Sequence, residues 1–496
     1  MDNRVTSSAR PLRQDALDDL KGKVAVPAYD RATLTPGIAH IGVGNFHRAH
    51  MAHYLDRLMS TGAARDWAIV GGGTRPTDAH MRALLAGQDW LTTVVELDPQ
   101  GFAARVVGSM VDFAAPDAGA LVARLADPAV RIVSMTVTEG GYYLNEDGVF
   151  DESHPDIQRN LAVGTAPNTV FGILIAALQA RRAAGVAPFT VMSCDNLPEN
   201  GATARGTVLG LAGSMDTDLA AWIGESVAFP NSMVDCITPR TGELQKTLVR
   251  DLFGIDDAAP VVCEPFRQWV LEDRFPNGRP PLEDVGVEFV SDVAPYELMK
   301  LRILNGGHAA IAYPSALLGY NFVHDAMADR DIRTWLDTLE RREIIPLLAP
   351  LPGVDYAGYL ETAGRRFANA AVEDTIPRLC QDGSNRQPKF ILSSVRDALA
   401  AGSSLDGLAL EVALWCRYCA GVSETGQSLN VEDDLVATLR PAAQASTAAD
   451  PKFLGVTPVF GALGTAPRFV EAFASQLGRL QQHGVRQTLR AYADRT

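Results

Sequence analysis

Short apolar runs alternate with stretches of helical period through the first 290 or so residues. Gly37-Ile38-Ala39-His40-Ile41 reads as a buried strand that ends in glycines. Trp67-Ala68-Ile69-Val70 reads the same way, as do residues 130–137 and 188–193. Between them, residues 46–60 carry Phe46, Ala49, Tyr54 and Leu58 at helical spacing, and residues 170–178 form another helical run. Residues 1–35 read as an irregular or helical lead-in. Strands that alternate with helices predict an α/β fold, a Rossmann-type doubly wound parallel sheet. Beyond about residue 290 the period becomes 3.6 throughout, over residues 326–348, 391–401, 405–419 and 468–483. The pattern therefore predicts residues 1–290 as a dinucleotide-binding domain and 291–496 as a mostly α-helical substrate and catalytic domain.

Length agrees with that division, since 496 residues exceed what one core organises. The net charge of −15 disfavours a nucleic-acid partner, although it leaves room for a local site that takes one small anion. No run has the eighteen or more apolar residues of a membrane span, and the start lacks an apolar signal core, so a cytoplasmic location is expected. Six scattered cysteines do not form a secreted disulfide framework. The close pair Cys416 and Cys419 ends a helix-like run, with no second pair and no strand-to-helix turn, which points to packing rather than to metal or redox work.

Gly42-Val43-Gly44-Asn45-Phe46-His47 follows the first strand directly and opens a helix. Two glycines there let a backbone approach a pyrophosphate, with a helix end behind it, although the usual third glycine is missing. Gly42, Val43, Gly44, Asn45 and Phe46 are accordingly the candidate cofactor contacts. An acid some 20 residues further on normally holds the adenosine ribose. Here the second strand runs into Gly71-Gly72-Gly73-Thr74-Arg75 with no acid before Asp78, and Arg75 is suited to a 2′-phosphate. The choice between NAD and NADP stays open at this point. His47, His50 and His53 fan over about 120° of a helix and do not converge on one ion, so no metal is expected.

The segment from Tyr296 to Ile311 holds the candidate chemistry. On an ideal helix Lys300, Asn305 and His308 project within about 140° of one another, on an otherwise largely apolar stretch. Gly306 and Gly307 weaken a helix by roughly 1 kcal/mol each, which close approach of a ligand or a backbone would explain. Oxidising a secondary alcohol without a metal needs an organic base and donors for the developing alkoxide. A buried lysine serves as that base where an apolar wall and nearby positive charge lower its pKa, and asparagine amides serve as neutral donors.

Taken together these residues resemble the mannitol dehydrogenase family, the long-chain polyol-specific dehydrogenases that include fructuronate and tagaturonate reductases. The resemblance rests on residues 42–50, Thr138-Glu139-Gly140-Gly141-Tyr142, residues 193–201 (Ser-Cys-Asp-Asn-Leu-Pro-Glu-Asn-Gly), residues 229–235, the Lys300–His308 segment and Asp382-Gly383-Ser384. It implies a zinc-independent polyol dehydrogenase that uses NAD or NADP, most simply for D-mannitol and D-fructose, with its site in the cleft between a Rossmann-type and a helical domain. By the same resemblance Lys300 is the acid/base, Asn305 and Asn196 form an oxyanion hole, and His308 orients substrate. Asp235, Arg378 and Arg386 fall where substrate hydroxyls are contacted, and Glu297 falls on the path of the released proton. A monomer is implied as well. Two positions depart from the family pattern. Cys236 stands where an arginine is usual after Asp235, removing a local charge, and Arg386 replaces the usual lysine with a planar fork.

Two other readings remain. A fructuronate or tagaturonate reductase needs one more cation for the substrate carboxylate, which Arg378 or Arg386 could supply. A non-catalytic NAD-binding sensor would keep the glycine turn without needing the Lys300–Asn305–His308 set.

Overall fold

The computed structural model describes residues 9–145, 148–162 and 166–494, so the first eight residues of the lead-in lie outside it. The chain folds as two compact units, Met1–Ala294 and Pro295–Thr496.

The core of the first unit is a five-stranded sheet of β1 (Pro36–Ile41), β2 (Ala68–Gly72), β3 (Met110–Phe113), β4 (Ile132–Met135) and β5 (Thr190–Ser193). All neighbours are parallel, in the order 3-2-1-4-5. That is the Rossmann arrangement, in which strand order reverses between β1 and β4. The four expected strands are present, β1 starting one residue early at Pro36 and β2 running two residues on to Gly72, while β3 adds a strand that was not expected. β4 and β5 are buried at every residue because helices cover both faces. The expected helix over 170–178 continues to Ala183.

The run over 46–60 is not one helix. Asn45–Ala49 and Met51–Ser60 are separated at His50, whose φ of −112° and ψ of −92° are non-helical. Apolar spacing carried no sign of this break, because both pieces bury the same kind of face. The lead-in adds a two-residue strand, Arg10–Pro11, paired with Ile255–Asp256. Two three-stranded sheets complete the unit. One orders Val261–Cys263, Thr92–Glu96 and Ala103–Val107; the other orders Glu288–Val290, Gln268–Glu272 and Ser232–Asp235.

The second unit is helical. Asp406–Cys419 is buried along almost its whole length and packs against Pro467–Ala493 and Gly306–Leu317. Trp335, Trp415, Tyr313, Phe453 and Phe469 fill its core. Trp335 Nε1 donates to the Ala310 carbonyl at 2.9 Å, which keeps that buried N–H satisfied. The terminal helix kinks at Gly484, where φ is +73°, and Glu424 takes up the Val485 N–H at 3.0 Å. Residues 326–348 form Val323–Ala328 and Arg330–Leu339 and then tighten and loosen through a π turn, Glu340–Ile344, and a 3-10 turn, Ile345–Leu347. Among the described residues no helix is long and apolar enough to cross a membrane.

Candidate active site

In the first unit the glycine turn leaves β1 at the point where strand order reverses. Gly42 has φ +92°, and a Cβ on it would collide with the Thr136 carbonyl oxygen at the end of β4, so glycine is required. Gly44 N donates to Gly42 O at 2.7 Å, and the nearest atom to a Cβ placed on Gly44 is 3.9 Å away. One glycine is thus needed for the fold, while the other leaves open space beside the backbone. The turn is rigid. His40 contacts Ser134 Oγ at 2.8 Å and lies 3.1 Å from both Gly42 O and Thr136 Oγ1. Burial pulls His40 down to about 3, so it is neutral, and the His47 ring stacks on it at 3.4 Å.

Val43 is buried against Gly71. Asn45 Nδ2 donates to Thr241 Oγ1 at 3.1 Å, and its Oδ1 accepts from Arg48 Nη2 at 2.8 Å. Phe46 stacks on His50 at 4.8 Å. The three histidines go to separate neighbours, since His50 Nε2 reaches the Gln268 carbonyl at 3.0 Å and His53 lies 3.9 Å from Glu96. No group of three or more His, Cys, Asp or Glu among the described residues could hold a metal ion.

The loops after β4 and β5 are tied by Asp195. Its carboxylate accepts from Val137 N at 3.0 Å, Thr138 N at 2.8 Å and Tyr142 OH at 2.7 Å. Burial raises the Asp195 carboxyl above its usual range, and these donors oppose that shift. What they hold is strained, since Thr138 adopts φ 69° and ψ 163°, a conformation ordinarily left to glycine. Asn200 continues the network, donating to Asp195 O at 2.9 Å and Ser232 O at 2.7 Å while accepting from Ser232 N. Asn196 is exposed between these two anchors, and Asp235 is buried at the end of its strand. Sequence reasoning passed over Asp195, Asn200 and Tyr142 as catalytic candidates were sought; buried polar residues inside quoted motifs were the available sign.

Cys236 is buried beside Cys263, and Arg267 donates from Nη2 to Cys263 Sγ at 3.1 Å and from Nη1 to Glu96 at 2.5 Å. Cys236 thus belongs to a buried pair of thiols, and the nearby Arg267 reaches the Cys263 side of that pair while neutralised by Glu96.

In the second unit Lys300 is buried and begins a π-helical turn, Lys300–Asn305, which passes into the α-helix Gly306–Leu317. The ideal α-helical angles used above thus do not apply between Lys300 and Asn305, because i→i+5 bonding widens the turn. Arg302, buried within that turn, donates to Asp397. Packing does not demand glycine at Gly306, where a Cβ would sit in ordinary contact 3.4 Å from Phe390 O, and only slightly favours it at Gly307, where a Cβ would lie 3.3 Å from Phe367 Cε2. Glu297 is half-buried as the fourth of the six residues of the helix Ala294–Met299.

The His308 ring packs against Phe367, with centroids 4.1 Å apart and planes tilted by 30°. Burial pulls it down to about 3, with Asp374 opposing that shift and Arg378, Arg366 and Arg386 adding to it. It is a neutral imidazole. His308, Arg378 and Arg386 therefore share one electrostatic neighbourhood. Arg378 presents Nε to Asp374 Oδ1 at 2.6 Å and Nη2 to Oδ2, a fork-to-fork pair. Burial raises Asp374, yet this pair outweighs it and holds the carboxyl below its usual range. Arg386 Nη1 donates to Leu379 O at 3.0 Å. Cys416 and Cys419 are buried in the last turn of their helix, and burial pushes the Cys416 thiol up to about 12, which leaves it unreactive.

A 3-2-1-4-5 parallel sheet with a glycine turn at its reversal point, followed by a helical unit, defines a Rossmann-type two-unit protein. The mannitol dehydrogenase Rossmann domain pattern matches residues 36–284, and the mannitol dehydrogenase C-terminal domain pattern matches residues 292–481. The chain belongs to the mannitol dehydrogenase family. It is 52% identical over 471 residues to a mannitol 2-dehydrogenase of Cereibacter sphaeroides, covering 95% of this chain and 98% of that one. Among solved structures it is similar to the Pseudomonas fluorescens mannitol 2-dehydrogenase in ternary complex with NAD and D-mannitol. That match has 45% identity and a TM-score of 0.83 and covers 98% of this chain and 100% of the other. It is also similar to a D-sorbitol dehydrogenase in substrate-free form, at 36% identity and TM-score 0.90, covering 97% and 100%.

Proposed function

We propose that this chain is an NAD-dependent polyol 2-dehydrogenase that interconverts D-mannitol and D-fructose. The observation that carries the reading is Lys300, a buried lysine at the head of a π turn that also holds Asn305 and leads into His308. π turns concentrate at functional sites, and a lysine withdrawn from water is poised to act as a base. The relatives named above, one of them solved with NAD and D-mannitol, support the substrate and the cofactor.

The glycine turn fits a dinucleotide, since the backbone beside Gly44 is open and Gly42 allows the close approach of strand ends. Gly42, Val43, Gly44, Asn45 and Phe46 are the residues that would hold it, and the nicotinamide, when bound, supplies the hydride acceptor. Lys300 Nζ takes the hydroxyl proton of the alcohol. Asn305 and Asn196 donate hydrogen bonds to the oxygen as it gains charge. His308, neutral at working pH, holds a substrate hydroxyl without adding charge. Asp235, Arg378 and Arg386 bind the remaining hydroxyls, and Glu297 passes the proton from Lys300 to solvent.

The Arg378–Asp374 pair favours an uncharged polyol over a uronate, because the fork a carboxylate would need is already engaged. Six free, buried cysteines suit the reducing cytoplasm, and the family resemblance supports a monomer. The test is NADH formation from D-mannitol followed at 340 nm, with fructose and fructuronate compared in reverse. Lys300→Ala should lose most of kcat while still binding NADH. Undiminished turnover in that variant removes Lys300 as the base, and NADH binding without turnover of any polyol supports a sensor instead.

A further inference from the structure

We propose that the adenosine end of the cofactor site accepts a 2′-phosphate, so that the chain uses NADP as well as NAD, with Thr74 and Arg75 receiving the phosphate. The proposal rests on the reading of Gly42–Phe46 as the dinucleotide turn. β2 runs in register with β1, Ile41 opposite Gly72, and Gly42 N donates to Gly72 O at 3.1 Å. The chain leaving β2 therefore begins beside the turn, where a Rossmann site reads the adenosine ribose. A carboxylate there binds the ribose hydroxyls and repels a 2′-phosphate, which carries close to two negative charges.

From Gly71 to Thr77 this chain has no carboxylate. The first one, Asp78, is turned inward. Its carboxylate packs under Gly73, where a Cβ would collide with it, and the residue is 8% exposed. Oδ2 accepts from Arg75 N at 3.0 Å and from Arg75 Nε at 3.3 Å. Asp78 thus closes the first turn of the helix Pro76–Ala86 and is not presented to a ribose.

Arg75 is placed differently. Its side chain is 59% exposed, and its links to Asp78, at 3.3 and 3.4 Å, are at the long end of hydrogen bonding. A guanidinium held that loosely keeps donors for a phosphate, which arginine meets with a planar fork. Those two links use Nε and Nη2 and leave Nη1 outward. The half-buried Thr74 adds a hydroxyl next to Arg75 in the chain.

The test uses the full-length protein and two fragments, adenosine 2′,5′-bisphosphate and adenosine 5′-monophosphate, titrated by calorimetry. The bisphosphate should bind about tenfold more tightly, the advantage of one charge-assisted pair, and Arg75→Ala should remove most of that ratio. Arg75→Lys should keep part of it, and the NADP-to-NAD ratio of kcat/KM should fall in the same order. Melting curves of each variant confirm the fold, since the backbone N–H that Asp78 caps is kept in all of them. Equal or weaker binding of the bisphosphate, or a ratio unchanged in Arg75→Ala, overturns the proposal. Binding of neither fragment overturns the dinucleotide reading of the glycine turn, and the proposal with it.

Discussion

Gln387 donates from Nε2 to Glu411 Oε1 at 2.6 Å, and both side chains lie wholly inside the helical unit. Burial pushes the Glu411 carboxyl up to about 8, and the Gln387 bond opposes that shift only in part. The folded pKa is therefore raised above the value in the unfolded chain, near 4.5. The associated stability is fully present below about pH 4.5 and is lost as pH rises toward 8, by about 1.4 kcal/mol per pH unit. Glu411→Gln keeps the shape and a donor without a titrating group. Its melting temperature relative to the natural chain should rise from pH 5 to pH 8, by roughly 2–4 °C for each kcal/mol in a unit of this size. A pH-independent difference between the two proteins would show that Glu411 does not titrate in this window.

Asp195 yields a prediction about the loops that follow β4 and β5. Its carboxylate takes three donors, from Val137, Thr138 and Tyr142. Asp195→Asn places an amide N–H against one of these donors, which should destabilise the first unit by about 2–3 kcal/mol. Tyr142→Phe removes the hydroxyl's bonds to Asp195 Oδ2 and Ser193 Oγ and should lose about 1–2 kcal/mol. The double variant should lose less than the sum, because the two changes break one shared network. Urea unfolding of the three proteins measures this, and full additivity would mean that Tyr142 OH and Asp195 act independently.

Four of the sheet's five strands were legible because buried parallel strands leave apolar runs, such as residues 132–135 and 190–193, spaced by helices, whereas β3 (Met110–Phe113) was not, since only its two end residues are buried and Asp112 breaks the run. The strands Thr92–Glu96 and Ala103–Val107 were not, since short strands in small sheets carry mixed residues and no helical spacer sets them off. The break at His50 has no proline or glycine to announce it. The π turn at Lys300 is hidden for another reason. Inserting one residue into the helical hydrogen-bond register leaves composition untouched, and buried Met299, Ile303 and Leu304 suit either register. Among site residues, Lys300 and His308 stood out as polar groups on an apolar segment. Asp374 and Asp397 did not, because their importance lies in arginines that only the fold brings to them.

The Arg302–Asp397 pair supports the π turn from outside. Arg302 is buried, whereas the Asp397 side chain is 52% exposed. Asp397→Asn should leave a buried cation poorly matched, at a loss of about 1–2 kcal/mol once solvent screening at the exposed partner is allowed for. If the turn depends on this pair, kcat should fall with little change in KM. Arg302→Met in the Asp397→Asn background should restore most of the stability, since replacing both charges removes the mismatch. Melting curves and steady-state kinetics decide it, and an unaltered melting temperature in Asp397→Asn would show that the pair contributes nothing.

Substrate charge can be set against Asp374. In the natural chain its carboxylate holds both forks of Arg378 and offsets the guanidinium charge near His308. Asp374→Asn leaves Arg378 with a neutral neighbour, a half-exposed position and donors available for a carboxylate. Stability should change by less than about 1 kcal/mol, because the arginine side of the pair is open to water. Specificity should change more. The ratio of kcat/KM for fructuronate to that for fructose should rise about five- to tenfold, the worth of one partly screened charge-assisted pair. Glucuronate offered as an inhibitor gives the same comparison without catalysis, and its inhibition constant should fall in step. A ratio unmoved by Asp374→Asn means that Arg378 does not face the substrate, and the preference for an uncharged polyol then has to reside in Asp235, Arg386 and their surroundings.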